Sequence, residues 1–215
     1  MRPSARPFGV ATAALLALYG CASAYYGTLE KFGIEKRDIL TDRVEDAREA
    51  QTEAKEQFSD ALERYRAVIN VDGGDLEKVY DRLNASLQRS EMRAEEVRTR
   101  VDEIESVGDD LFDEWKDEIN EYSDAALRRQ SESLLRATQQ DYRQMLAAMR
   151  RAEASMDPVL TLFNDQVLFL RHNLNARAIG SLDAELGNIE AATAAAIAEM
   201  EQSIAEAGRF ISSMK

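Results

Sequence analysis

From Leu40 to Val68, apolar or small side chains recur in alternating steps of four and three: Leu40, Val44, Ala47, Gln51, Ala54, Phe58, Ala61, Tyr65 and Val68. Gln51 is the one clear polar intruder. This spacing puts every member on one stripe of a helix, and it fits no face of a strand. Such a stripe is buried only against another helix, so the pattern demands a coiled-coil-like partner. A second, longer seam runs through Leu76, Tyr80, Leu83, Leu87, Ser90, Ala94, Val97, Val101, Ile104, Gly108, Leu111, Trp115 and Tyr122, with Glu118 filling the one missing place. At about 1.5 Å per residue it predicts a rod of about 70 Å.

Breakers are sparse. Asp72-Gly73-Gly74 reads as the turn between the first two helices, with Asp75 as the next cap. Gly108, followed by Asp109 and Asp110, marks a candidate kink, yet the seam keeps its phase across it and predicts continuity. Ser123 and Asp124 offer a cap for a stripe of Leu135, Thr138, Tyr142, Met145, Met149, Ala152 and Met156. Pro158 is the only proline beyond residue 20, and Asp157-Pro158 reads as the N-cap and first position of a fourth helix. That helix opens with Leu160, Phe163, Val167, Leu170 and Leu174 at helical spacing. Its all-round apolar character in VLFLRHNLN predicts deep burial. The phase then slips and is resumed by Ile179, Leu182, Leu186, Ile189, Ala196, Met200, Ala207 and Phe210, which places a kink or short break at 173–180. No hairpin signal and no Gly/Ser/Pro-rich linker interrupts these stretches. The expected fold is all-α: one elongated antiparallel bundle of three or four long, coiled-coil-like helices over 36–215.

The N-terminus has a different grammar. Residues 1–7 carry Arg2 and Arg6 and no acid, residues 8–18 are apolar or small, and small residues follow, as in a secretory signal. The apolar run is too short for a membrane-spanning helix, which needs about 20 residues. Leu18-Tyr19-Gly20-Cys21 resembles the bacterial lipobox, whose cysteine is acylated on sulfur and becomes the new N-terminus after cleavage. Leu18, Gly20 and Cys21 fit it, whereas Tyr19 is bulkier than the usual residue. The bland alternative for the sole cysteine is a small buried hydrophobe. Residues 1–20 are thus expected to be a signal peptide, Cys21 the lipidation site, and 21–35 a membrane tether. Ala22 replaces the aspartate that, in lipoproteins resembling this one, marks retention in the inner membrane. The resemblance therefore implies the inner leaflet of the outer membrane, facing the periplasm.

Charge narrows the partners. With 27 Lys and Arg against 40 Asp and Glu the chain carries −13, and losing Arg2 and Arg6 takes it to −15. Such acidity argues against nucleic acid and against adhesion to anionic lipid through a broad basic surface. With a single cysteine no intramolecular disulfide can form, so stability must come from packing.

Catalytic signatures are missing from the sequence. His172 is the only histidine, which excludes sites that need two, and the residue three before it is Phe169 rather than an acid. Neither a G-x-S-x-G elbow nor a phosphate-cradling glycine loop occurs. The reading is a non-enzyme with no cofactor and no metal. Two polar constellations stand out. Arg171, His172, Asn173 and Asn175 crowd an apolar segment, and either knot the helices together where the phase slips or line a small pocket for a ligand or partner. Arg129, Arg136, Arg143 and Arg150, spaced by seven and flanked by Arg128 and Arg151, lie along one line beside the apolar seam. That line is either a solvated flank pairing with neighbouring carboxylates or a docking stripe for phosphate or carboxylate groups. Phe112, Trp115 and Tyr122 are expected in the core rather than in a sugar-binding platform.

The stretches DGGDLEKVYDRL, LFDEWKDEI and MDPVLTLFNDQVLFLRHNLNARAIGSL resemble a family of uncharacterised bacterial secreted lipoproteins of about this length. The resemblance covers nearly all of the chain after Cys21 and implies a mostly helical, coiled-coil-rich protein, with no catalytic residues to carry over. Such a helix would carry alanine at position 108, where this chain has Gly108.

Function then divides into three expectations. The leading one is a lipid-anchored scaffold or adaptor that presents a long helical surface to an envelope protein. The second is a ligand-binding or sensing module built on 169–175, and the third a membrane-associating bundle. The seams can close within one chain or between two copies, so a homo-oligomer belongs among the expected partners.

Overall fold

A computed structural model of the chain describes residues 36–69, 76–173 and 176–214. Four helices follow one another: α1 (Lys36–Ile69), α2 (Leu76–Glu121), α3 (Ala125–His172) and α4 (Ala176–Met214). Among the described residues there is no strand. The expected signal peptide, Cys21, the tether, the Asp72-Gly73-Gly74 turn with its Asp75 cap, Leu174 and Asn175 lie outside the described residues.

Every position of the first seam is buried, Gln51 included. Neither polar atom of the Gln51 side chain meets a hydrogen-bond partner among the described residues. The second seam is buried without exception from Leu83 to Gly108 and then rotates. Phe112 and Ile119 take over the core, Leu111 and Trp115 are half-buried, and Tyr122 is exposed. A straight helix drifts by about 20° per heptad against a 3.5-residue repeat, so a strict heptad count carried along the 46 residues of α2 ends on the wrong face.

Helix α1 packs on α2 and α4, and α3 packs on the same two, so the four close into a square of antiparallel neighbours. Ion pairs cross the seams at Glu53–Arg93 (2.5 Å), Lys55–Glu201 (3.4 Å) and Arg151–Glu199 (3.5 Å). Across the diagonal, Tyr65 and Phe163 meet edge to face at 5.6 Å, and the Tyr65 hydroxyl donates to the Leu182 carbonyl at 2.9 Å. The turn between α2 and α3 is short. Asp124 caps α3 by accepting from the Ala126 and Leu127 amides (2.6 and 3.2 Å), while Arg128 donates to the Tyr122 carbonyl at 2.8 Å. This cap lies where the sequence places it.

Two sequence expectations are overturned. No helix starts at Asp157-Pro158: Pro158 lies inside α3, which runs unbroken from Ala125 to His172. Met149, Ala152 and Met156 before the proline and Val159, Phe163 and Leu170 after it are all buried on one stripe. Burial on both sides outweighs the lost hydrogen bond and the ring clash, a penalty of about 3 kcal/mol. Pro158 itself faces solvent, where water can reach the carbonyl it leaves unpaired. Asp157 pairs with Arg98 of α2 at 2.5 Å instead of capping a helix. The all-round burial expected of VLFLRHNLN also fails: Val167 and Leu170 are buried, whereas Leu168 and Phe169 are 47% and 38% exposed. The break itself falls at Asn173, and α4 begins at Ala176, so Gly180 lies within a helix rather than in the break.

Candidate functional site

Helices α2 and α3 are the long pair, with 46 and 48 residues against 34 and 39 for α1 and α4. At the end holding their connection, α1 starts at Lys36, whose ammonium sits 3.0 Å from Glu114 of α2, and α4 stops at Met214. Among the described residues the α2–α3 hairpin therefore runs on for about two turns past both neighbours. Its inner face lines a cleft of about 530 Å³, bounded by Lys36, Glu114, Trp115, Leu134, Thr138 and Met214. Trp115 donates its indole N–H to Ser131 Oγ at 2.9 Å, tying the two arms together. Leu134 is 53% exposed and, nearer the tip, Leu127 is 50% and Tyr122 40% exposed.

Toward the bundle from this cleft lies an aromatic layer built around Tyr142. Its ring meets Phe112 at 5.1 Å and Phe210 at 6.1 Å, both edge to face, and its hydroxyl donates to the Ile104 carbonyl at 3.2 Å. Gly108 makes this possible. A Cβ there would overlap the Tyr142 hydroxyl and ring, lying 2.7 Å from the Cε2 atom. The glycine is thus a seat for the ring, and α2 continues unbroken through it. Burial, with the Asp109 and Glu105 charges behind it, pushes the Tyr142 phenol well above its ordinary range, so it stays a neutral donor.

The arginine line does not act as one stripe. Arg150 is drawn into the α2–α3 groove, where it meets Asp102 at 2.7 Å, Glu153 at 2.9 Å and Glu105. Partial burial pulls its pKa down, but these three carboxylate hydrogen bonds outweigh that and hold it above the usual value. Arg136 is exposed and reaches only Glu132, at 4.0 Å. Arg129 and Arg143 are exposed and have no ion-pair partner among the described residues. Asp109, beside the Arg150 cluster, has a carboxyl raised above its ordinary value by partial burial and by the Glu105, Asp113 and Asp110 charges.

The described residues of the 169–175 cluster, up to Asn173, form neither a buried polar knot nor the wall of a pocket. Arg171 and His172 are exposed, and Asn173 closes the C-terminus of α3: its amide donates to the Leu170 carbonyl at 3.1 Å and its side chain to the Phe169 carbonyl at 2.9 Å. Polar side chains crowd this segment because a helix ends there and leaves carbonyls to satisfy. Among the described residues no group of three or more His, Cys, Asp or Glu side chains could hold a metal ion, and no helix is long and apolar enough to cross a membrane.

A family described as "Protein of unknown function (DUF2959)" matches residues 25–214. The chain belongs to DUF2959. The match starts shortly after Cys21 and runs to the end of α4, so the unit shared by DUF2959 proteins includes the four helices and also 25–35. No curated protein and no solved structure matches the chain. The cleft went unread in the sequence, although a signal for it was there. The first apolar seam opens at Leu40 while its antiparallel partner extends to Ile119, a mismatch in length that leaves one end of the hairpin beyond α1 and α4 among the described residues.

Proposed function

We propose that this DUF2959 protein is a bacterial lipoprotein, anchored through Cys21 to the periplasmic face of the outer membrane, that works as a helical scaffold or adaptor for an envelope partner. The observation that carries the reading is the order of parts along the chain. A charged start, an apolar run and Leu18-Tyr19-Gly20-Cys21 precede residue 25, where the family match begins. More than one acyl chain on that cysteine gives firm attachment, whereas a single chain binds only marginally. The bundle then offers an acidic chain with two contrasting features on different sides of α3: Leu127 and Leu134 at the hairpin, and the exposed guanidiniums of Arg129, Arg136 and Arg143. Either the exposed leucines or the line of arginines is a face that a protein partner with apolar or acidic side chains would engage.

Site-specific photocrosslinking in whole cells tests this. A photoreactive residue at Leu127 or Arg136 is expected to yield a discrete adduct with a second envelope protein or another copy. Absence of any adduct, together with a strictly monomeric protein, contradicts the scaffold reading. The sensing alternative through His172 draws no support from the geometry, since Asn173 is engaged as a cap and His172 faces solvent.

A further inference from the structure

Along the outer side of α1, Asp42, Glu49, Glu56 and Glu63 recur every seven residues, the same interval that separates Arg129, Arg136 and Arg143 on α3. All seven side chains are exposed. We infer that the two rows are the halves of one interface, with the arginine row of one copy lying on the acidic row of the next, so that the partner of the arginine line is a second copy of this chain. This rests on the scaffold reading for the choice of face and adds the occupant.

The rows stand out by what they lack. Other acids of α1 are held: Glu45 by Arg48, Asp46 by Arg43 at 3.4 Å and Glu53 by Arg93 at 2.5 Å. The four acids of the row have no ion-pair partner among the described residues, and neither do Arg129 and Arg143, while Arg136 reaches only Glu132 at 4.0 Å. In a chain carrying −13, three neighbouring arginines left this way are a conspicuous omission. One molecule cannot close the rows on each other. Helices α1 and α3 each pack on α2 and α4 and so occupy opposite corners of the square, with their outer sides looking apart. A second copy removes that obstacle.

Spacing makes the match specific. Successive members are about 10.5 Å apart on both helices, so three pairs form together. Glu49 meets Arg136 at the centre whichever way the second copy runs, and Asp42 and Glu56 take Arg129 and Arg143 in either order. Glu63 lies beyond them, beside the exposed Arg64, which repels an incoming guanidinium. Rows with a seven-residue step wind slowly around their helices and stay together over several turns when the helices cross at about 20°, the packing in which such charge pairs set partner and alignment. Four residues after each arginine stand Ser133, Gln140 and Ala147, exposed and uncharged, so no bulky or acidic side chain there holds an approaching helix away. Because the rows face opposite ways, the contact is head-to-tail and repeats from copy to copy rather than closing as a two-fold dimer. Exposed ion pairs are individually weak and screened by salt, so the assembly is loose and sensitive to ionic strength.

Sedimentation of the full mature chain tests this, with Cys21→Ser so that no acyl group drives assembly. Association is expected at an ionic strength of about 0.02 M and dispersal to monomers at about 0.5 M. Arg136→Glu and Glu49→Arg are each expected to weaken association about ten-fold, and an equimolar mixture of the two variants, or both changes in one chain, to restore it. Monomers at every ionic strength overturn the inference. So does association that neither variant weakens, that the combination does not rescue, or that strengthens with salt as an apolar contact would. Binding to anionic phospholipid vesicles that Arg136→Glu abolishes, with self-association unchanged, also overturns it and assigns the row to phosphate headgroups. A monomeric chain whose Arg136 photoprobe still captures a different envelope protein overturns the second copy as occupant and leaves the scaffold reading intact.

Discussion

Gly108 shows how one side chain, or its lack, fixes a local arrangement. In a helix interior alanine is favoured over glycine by about 1 kcal/mol, so propensity alone predicts that Gly108→Ala stabilises the protein. The Tyr142 ring reverses that sign: overpacking of a filled site costs about 1–3 kcal/mol, and the phenol's bond to the Ile104 carbonyl is put at risk as well. Gly108→Ala is therefore expected to lower the midpoint of thermal unfolding, and to do so less in a Tyr142→Leu background, where the ring is gone; equal losses in both backgrounds contradict the account. Asp109, one residue on, gives a pH test. Its folded carboxyl sits above the ordinary value of 3.8, so ionising it costs folding free energy, a loss that sets in as pH rises through that value. Asp109→Asn is expected to raise the unfolding midpoint slightly at pH 7 and to make no difference near pH 3, where both side chains are neutral. A gain that is the same at both pH values rules out the charge explanation. The role of Gly108 was not legible in the sequence, because it comes from Tyr142 of α3, far away along the chain, whereas the acids that raise Asp109 are its own neighbours on α2, Glu105, Asp110 and Asp113. Gln51 was legible as an intruder on a seam, and it is buried there.

At the scale of the elements, periodicity carried the reading and punctuation misled it. The seams of α1 and α2 and the cap at Asp124 follow from local sequence, because each rests on contacts within a few residues or on a repeat sustained over many turns, whereas the phase slip at 173–180, read as a kink within the fourth helix, is where α3 gives way to α4. Pro158 was misread for a physical reason. Asp-Pro is a helix-start signal in isolation, yet here the buried stripe from Met149 to Leu170 continues in phase through it, and long-range packing on α2 and α4 overrides the local penalty. Pro158→Ala restores an amide donor within a helix that already exists, so it is expected to stabilise the protein by about 1–3 kcal/mol, with helix content unchanged. Destabilisation, or a marked gain in helix content by circular dichroism, would mean that α3 is broken there in solution. The heptad count failed at the far end of α2 for a different reason, the accumulated drift between 3.5 and 3.6 residues per turn, which moved the core from Leu111, Trp115 and Tyr122 to Phe112 and Ile119. The arginine line was sound as a register and uneven as a surface. Arg150 faces three acids of the α2–α3 groove, and Arg129, Arg136 and Arg143 lie farther along toward the hairpin, facing solvent.

Across the described residues, four antiparallel helices close a core that runs from Ile39 to Met214, and the α2–α3 hairpin extends past the described ends of α1 and α4. The exposed apolar and cationic side chains of α3 near the hairpin are the surface that the proposed scaffold role would use. The sequence made the bundle legible because its seams are long. It hid the cleft because a cleft is a difference between helix lengths, visible only when antiparallel partners are laid side by side. The account turns on Cys21, since an acylated cysteine fixes both the compartment and the distance over which the rod can reach. Intact-mass spectrometry of the protein recovered from cell membranes tests it most directly: the account predicts a polypeptide beginning at Cys21 with added acyl mass, and a chain that still begins at Met1, carries a free thiol and is recovered from the soluble fraction would contradict it.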